Sequence, residues 1–183
     1  MASVEKTYAD ALFMLLEEEK TDKTGFDSVL AQLGVVRESI DEVPDFIKLL
    51  NTPTISEAEK LELVGKAFAG AESEYVRNFL RLLTVKKRMA YFPRIYKSFR
   101  ELYNDKFDIA DIIVTSSMPL TPELREKITA KMSQITGKTV SITEKVDKSV
   151  IGGVMVDYGN TRLDGTVKTR LEQLKKDMSN IIA

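Results

Sequence analysis

Apolar residues recur at helical spacing through the first half of this chain. Between Val4 and Lys20, the side chains of Tyr8, Leu12 and Leu15 follow one another every three or four residues, which places them along one side of an α-helix. Similar patterns predict five further helices, near residues 25–40, 44–50, 56–68, 73–85 and 92–104. Ser56 and Glu59 predict a capping box at the start of the helix near residues 56–68. We therefore predict six helices, joined by short loops, that pack as an antiparallel bundle.

The hydrophobic pattern changes its period after Asp105. Ile109–Thr115 is rich in β-branched residues and Thr139–Val146 alternates, so both segments are predicted strands. Between them, Thr121 and the following proline predict the start of a helix that ends at Gly137. The predicted fold is α+β, with a helical bundle in residues 1–105 and a smaller α/β domain with a β-hairpin in residues 106–183.

The hairpin is predicted from residues 150–164. Apolar residues alternate along Val150–Tyr158, which predicts one strand, and the pair Gly159–Asn160 is typical of a two-residue hairpin turn. Gly152 and Gly153 fall inside the predicted strand. Because glycine weakens a strand, such a pair indicates a bulge or a close approach of another backbone segment.

A turn and a helix are predicted to follow the hairpin. Asp164, Gly165 and Thr166 provide a turn and a helix cap. The apolar positions of the predicted helix are Val167, Leu171, Leu174, Met178, Ile181 and Ile182.

Composition excludes several classes of function. The 183 residues include no cysteine and no histidine, and the net charge is −1. Disulfides, zinc fingers, thiol nucleophiles and histidine-based acid–base catalysis are therefore excluded within this chain. The longest apolar run, Ala11–Leu16, is too short to cross a bilayer. We expect a protein of the cytosol, or its organelle equivalent, that reaches a membrane only through partners.

Two features of the sequence resemble chemical sites, a phosphate-binding loop and paired catalytic carboxylates, but neither matches such a site in full. Gly137, Lys138 and Thr139 match the end of a phosphate-binding loop, but Met132 occupies the position at which that motif requires another glycine. Carboxylate pairs such as Asp41–Glu42 lie where helix ends or turns face water. We therefore predict no catalytic residue, no cofactor and no metal ion.

The segment Arg77–Arg100 contains eight basic residues and no acidic residue. Three interpretations remain open: a solvated basic face, a surface that docks onto an acidic protein, and a site for single-stranded nucleic acid. The interleaved aromatic residues have the spacing of a helical core, which favours the solvated face over nucleic-acid binding. These aromatic residues are Phe79, Tyr91, Phe92, Tyr96 and Phe99.

Several short motifs together resemble one known family. They are Tyr8 to Phe13, Asn78 to Leu80, Val146 and Asp147, Ile151 to Gly153, Gly159, Asp164 to Thr166, and Arg170 with Leu171. The chain resembles the delta subunit of bacterial and chloroplast F-type ATP synthases, whose mitochondrial counterpart is the oligomycin-sensitivity-conferring protein. The family usually has serine at the position of Thr166 and often arginine at that of Lys168, and both departures keep the chemical character.

The resemblance implies a function without catalysis. It implies a stator subunit of the peripheral stalk, present once per complex, that links the catalytic head to the membrane sector during proton-driven ATP synthesis. The helical domain would bind N-terminal segments of the alpha subunits, and the C-terminal domain would bind the end of the b subunit. The expected location is the cytoplasmic face of the cell membrane, without insertion into it and without nucleic-acid binding.

The family architecture also implies a site. The first and fifth helices would form the groove for the alpha subunit, with Tyr8, Leu12, Leu15, Val76, Phe79 and Leu83 as the binding residues. The residues Gly152, Gly153, Gly159, Asp164, Gly165 and Arg170 would form a structural signature. The competing hypotheses are a helical interaction scaffold unrelated to the synthase and, less favoured, a nucleic-acid-binding module that uses Arg77–Arg100.

Overall fold

The chain divides into two compact units, Met1–Tyr103 and Asn104–Ala183. The computed structural model describes residues 3–70 and 72–172. Within these ranges the first unit is helical, and the second contains a four-stranded sheet. The fold is therefore a mixed helical and sheet structure. The division between the units lies between residues 103 and 104, whereas the sequence pattern predicted it after residue 105.

The first unit contains the helices expected from the apolar pattern. They are α1 (Val4–Glu18), α2 (Lys23–Glu42), α3 (Pro44–Asn51), α4 (Glu57–Ala67), α5 (Glu74–Val85) and α6 (Phe92–Lys106), with a 3-10 turn at Met89–Tyr91. The predicted capping box of α4 is confirmed: Ser56 Oγ accepts from the Glu59 amide at 3.3 Å, and the Glu59 carboxylate accepts from the Ser56 amide at 2.9 Å.

Helix α2 is longer than predicted at both ends, for local reasons. The Asp22 carboxylate accepts a hydrogen bond from the Gly25 amide at 2.9 Å, so the helix begins before Gly25. The helix ends at Glu42 because Val43 precedes Pro44, and a proline disfavours helical backbone angles in the residue before it.

Three phenylalanine rings connect α1, α2 and α6. The ring of Phe13 lies 5.1 Å from that of Phe26 and 5.8 Å from that of Phe99, measured between ring centroids. Phe26 and Phe99 are completely buried. Tilted and edge-on aromatic pairs of this kind contribute about 0.5–1.5 kcal/mol each beyond the area they bury. They fix one side of α1 in the core.

The second unit is built around a central strand. Its elements are β1 (Ile109–Ser116), α7 (Pro122–Thr136), β2 (Thr139–Val146), β3 (Val154–Tyr158) and β4 (Thr161–Asp164). The strand order is β2-β1-β3-β4, in which β1 pairs parallel with β2 and antiparallel with β3. Helix α7 connects the parallel pair, and its residues Ile128 and Met132 pack on Ile112, Val114 and Val156 of the sheet.

The hairpin turn is confirmed, but the prediction for the strand before it was wrong at its start. Strand β3 begins at Val154 rather than Val150, so the glycine pair precedes the strand. Gly153 has φ of +83°, and a Cβ atom there would lie 2.5 Å from the carbonyl oxygen of Gly165. At Gly152, a Cβ atom would meet only the Val167 side chain, at 3.4 Å. The close backbone approach therefore involves Gly153.

Residues 167–172, after β4, are helical, as the cap at Thr166 predicts. The remaining predicted apolar positions of this helix, Leu174, Met178, Ile181 and Ile182, lie outside the described residues.

The contrast between the two glycines is testable by paired substitution. Gly153→Ala should lower the free energy of unfolding of the second unit by about 2–4 kcal/mol, because the methyl group meets backbone atoms and the positive φ is strained. Gly152→Ala should change it by about 0.5 kcal/mol or less. Thermal unfolding followed through the amide signals of β1 and α2 measures both units. Equal effects of the two substitutions would contradict the assignment.

The first unit should fold without the second. A fragment of residues 1–105 contains α1 to α5 and all of α6 except its last residue. We expect it to show a helical circular dichroism spectrum and a cooperative thermal transition. A control fragment that stops at Val85 lacks the completely buried Phe92 and Phe99. It should not fold, because its core is incomplete. A weakly helical spectrum or a broad transition from the longer fragment would contradict the prediction.

Candidate functional site

An apolar groove lies between α1 and α5. It has a volume of about 550 Å³. Its lining comprises Thr7, Tyr8, Ala11, Leu12, Met14, Leu15 and Glu18 of α1, and Tyr75, Asn78, Phe79 and Leu82 of α5. Most of these side chains are apolar or aromatic, and the polar ones stand at intervals along the groove. The groove therefore suits an apolar surface rather than a small polar ligand.

The groove has a buried floor and exposed walls. Leu12 and Phe79 are only 3% and 6% exposed, so they belong to the core as well as to the groove. In contrast, Met14, Leu15 and Leu82 are 60%, 42% and 44% exposed. Apolar side chains lined up along one groove with this exposure are typical of a protein-interaction surface.

The structure brings together four of the six residues predicted for the groove. Tyr8, Leu12, Leu15 and Phe79 all line it. Val76 and Leu83 do not: both are completely buried inside the helical unit. Their burial follows from their position on α5, where they share the inward side with the buried Leu80.

The sequence interpretation missed seven lining residues, namely Thr7, Ala11, Met14, Glu18, Tyr75, Asn78 and Leu82. On α5, a signal was present: Tyr75, Asn78 and Leu82 are three and four residues apart, which defines one helix side. The inward set of α5 has the same spacing. Periodicity therefore identifies two sides of α5, and packing decides which one faces the groove.

Tyr8 is held at one end of the groove by contacts on two sides. Its ring meets Phe79 edge-on, with 6.4 Å between ring centroids. The Arg88 guanidinium donates a hydrogen bond from Nη1 to the Tyr8 hydroxyl at 3.3 Å, and its central carbon lies 5.3 Å from the ring centroid. Arg88 is itself fixed at the end of α5, because its amide donates to the Leu83 carbonyl at 2.8 Å.

Most aromatic rings of the basic segment are unavailable for stacking on bases. Phe79, Phe92 and Phe99 are buried, so three of its five aromatic rings are used inside the helical unit. Arg94 forms an ion pair with Glu5 at 3.3 Å. Single-stranded nucleic acid is bound by exposed aromatic rings beside basic residues, and burial removes these three rings from that role.

Gly152 and Gly153 of the predicted signature lie against the turn that contains Asp164 and Gly165, and we call this contact the structural corner. The Asp164 carboxylate accepts from the Thr166 amide and from the Thr169 hydroxyl, both at 2.8 Å. The hydrogen bond from the Thr166 amide is the largest cause that lowers the pKa of Asp164 below its usual value. The Gly165 amide donates to the Val154 carbonyl at 3.0 Å.

This corner joins the last helical residues to the sheet. The Val167 amide donates to the Gly152 carbonyl at 3.0 Å. Gly159, with φ of +55°, forms the hairpin turn, and Arg170 is exposed. Positive φ values explain the glycines at 153 and 159, and capping of the Thr166 amide explains Asp164. Beside the corner, Ile151 and Leu171 are 79% and 60% exposed.

The described residues show neither a metal-binding group nor a membrane span. Within residues 3–70 and 72–172, no cluster of three or more acidic, histidine or cysteine side chains is placed to hold a metal ion. In the same ranges, no helix has the length and apolar character needed to cross a membrane.

Comparison with known proteins gives consistent matches over the whole chain. The family profile described as ATP synthase delta (OSCP) subunit matches residues 4–178. The chain is similar to the ATP synthase subunit delta of Clostridioides difficile, with 37% identity over 177 residues that cover 96% of each chain. It is also 32% identical to the subunit of the same name from Desulfitobacterium hafniense strain Y51, with 97% of each chain covered.

A solved structure supports the fold. A chain in the cryo-EM structure of the Toxoplasma gondii mitochondrial ATP synthase hexamer superposes with a TM-score of 0.72 and 22% identity, covering 100% of this chain and 99% of that one. At this identity the likeness concerns the fold alone. The profile match and the relatives establish the family: the chain belongs to the ATP synthase delta (OSCP) subunit family, whose members are peripheral-stalk components of F-type ATP synthases.

Proposed function

We propose that the helical unit binds the N-terminal segments of the alpha subunits in the groove between α1 and α5, and that the second unit binds the end of the b subunit. The chain would thereby connect the catalytic head to the stalk that resists its rotation. The observation that carries this proposal is the apolar groove of about 550 Å³, with Met14, Leu15 and Leu82 exposed along it.

The groove suits an amphipathic helix. From Thr7 to Glu18 the α1 wall rises through about 16 Å, which corresponds to about three turns of a bound helix. A helix that presents apolar residues at three- and four-residue spacing would cover Leu15 and Leu82 and extend to the floor at Leu12. Such burial favours slow dissociation, which a stator under torque requires.

A surface beside the structural corner is our candidate for the b subunit. Ile151 and Leu171 are largely exposed, and Val167 is 43% exposed. Val167 and Leu171 are four residues apart in a helical segment. The Val167 amide donates a hydrogen bond to the carbonyl of Gly152, the residue after Ile151. The three side chains thus provide neighbouring apolar contacts for a partner helix.

The role proposed here is non-catalytic and peripheral. Asp164 and Asp157 have lowered pKa values, but the causes are a capping hydrogen bond for Asp164 and a hydrogen bond from Arg162 for Asp157, both structural.

We propose that one copy per complex lies at the cytoplasmic face of the cell membrane, attached through the other subunits. We also propose that the six helices of the first unit pack as an antiparallel bundle.

Leu15→Ala should weaken the binding of a synthetic peptide with the N-terminal sequence of the alpha subunit. Leu15 is 42% exposed in the free chain, so binding buries only part of its surface. The expected loss is about 1 kcal/mol, or roughly fivefold in Kd. Calorimetric titration below the thermal transition measures the Kd, and Leu82→Ala should act similarly.

The matched control is Val35→Ala. Val35 is 62% exposed on α2 and does not line the groove, so its truncation should leave the Kd unchanged. Leu12→Ala is less informative, because a residue that is only 3% exposed also stabilises the core. Equal affinities of wild type and Leu15→Ala would remove α1 from the binding surface, and no binding by wild type would refute the proposal.

Ile151→Ser should weaken the binding of a C-terminal segment of the b subunit without changing the affinity for the alpha peptide. Ile135→Ser is the matched control, since Ile135 is 61% exposed on α7 of the same unit. Loss of an apolar contact should raise the Kd for the b segment by about fivefold or more. Equal effects of Ile151→Ser and Ile135→Ser would contradict the proposed surface.

A further inference from the structure

Helices α1 and α5 run in opposite directions along the groove. Tyr8, in the first half of α1, contacts Phe79 and the side chain of Arg88, which follows the end of α5. At the other end, the lining includes Glu18, the last residue of α1, and Tyr75, near the start of α5. The groove therefore has a Tyr8 end and a Glu18 end.

The two ends carry opposite charges. Glu18 lines the groove at one end, and Glu74 is exposed on the first turn of α5 beside Tyr75. At the other end, Lys86 and Lys87 are exposed directly after α5. Arg88 adds a positive charge at that end, where its guanidinium donates a hydrogen bond to the neutral hydroxyl of Tyr8.

The backbone dipoles of the two walls do not cancel this difference. Since α1 and α5 are antiparallel, the negative end of one helix dipole lies beside the positive end of the other, and their fields largely offset each other. The side-chain charges therefore set the sign of the potential at each end. A bound helix carries about half a positive charge at its N-terminus and half a negative charge at its C-terminus.

We infer that the groove binds its partner helix in one direction, with the N-terminus of that helix at the Glu18 end and its C-terminus at the Arg88 end. The bound helix runs parallel to α5 and antiparallel to α1. This inference rests on the groove binding proposed above and adds the orientation of the partner.

A nitroxide label on the bound peptide reports the direction. The alpha-subunit peptide is prepared in two forms, with the nitroxide at its N-terminal or its C-terminal end, and each is added to the isotope-labelled full chain. We expect the N-terminal label to broaden the amide signals around Glu18 and the C-terminal label to broaden those around Arg88. Reduction of the nitroxide with ascorbate provides the unbroadened reference spectrum.

The outcomes separate this inference from the function on which it rests. Two results would overturn the fixed direction while leaving the groove as the binding site. One is binding with the opposite pattern of broadening, and the other is equal broadening of both ends by either label. Absence of any binding would overturn the proposed function and the direction together.

A charge substitution tests the cause of the direction. Glu18→Lys should raise the Kd of the unlabelled peptide by about three- to tenfold at low salt, since it places a positive charge beside the positive end of the bound helix. The effect should shrink at high salt. Glu38→Lys makes the same charge change on α2 at an exposed position outside the groove lining, and should leave the Kd unchanged. Equal effects of both substitutions would overturn the electrostatic cause.

Discussion

The helical unit depends on α1 being apolar on two sides at once. On one side, Phe13 packs against Phe26 and Phe99, with ring centroids 5.1 and 5.8 Å apart, and Leu16 is completely buried. These contacts hold the helix against the core and leave Met14 and Leu15 exposed toward the groove. In the proposed complex, a helix anchored in this way would form a rigid wall for the partner, because a force on its groove side is transmitted to close-packed aromatic rings.

The second unit depends in a similar way on one close backbone contact. Gly153 has no side chain, so the Gly165 turn approaches it closely, and the Gly165 and Val167 amides reach the carbonyls of Val154 and Gly152. The turn is fixed further by Asp164, which caps the Thr166 amide. The helical residues after the hairpin are thereby tied to β3, which pairs with the central strand β1. The exposed Val167 and Leu171 are therefore held in fixed positions relative to the sheet.

The sequence predicts the elements of this fold better than it predicts their surroundings. Local signals were sufficient for the α4 capping box at Ser56 and for the hairpin turn at Gly159, because both are determined by neighbouring residues. The start of β3 was misplaced because alternation continues through the glycine pair, whereas pairing with β1 begins only at Val154. On α5, periodicity did not distinguish the buried Val76 and Leu83 from the groove-lining Tyr75 and Leu82.

In the proposed complex, apolar contacts would determine the affinity and charges the direction of the bound helix, as their free energies indicate. Full burial of a leucine or phenylalanine side chain is worth about 1.5–3 kcal/mol, whereas a charge near a helix end contributes about 0.3–1 kcal/mol and is screened by salt. In the proposed complex, the affinity for the partner helix would therefore come mainly from the row formed by the exposed Met14, Leu15 and Leu82. An apolar row is nearly symmetrical along its length and does not distinguish the two directions of a bound helix. In the proposed complex, the small electrostatic difference between the Glu18 and Arg88 ends would select one direction, because direction depends on a difference between two otherwise similar complexes.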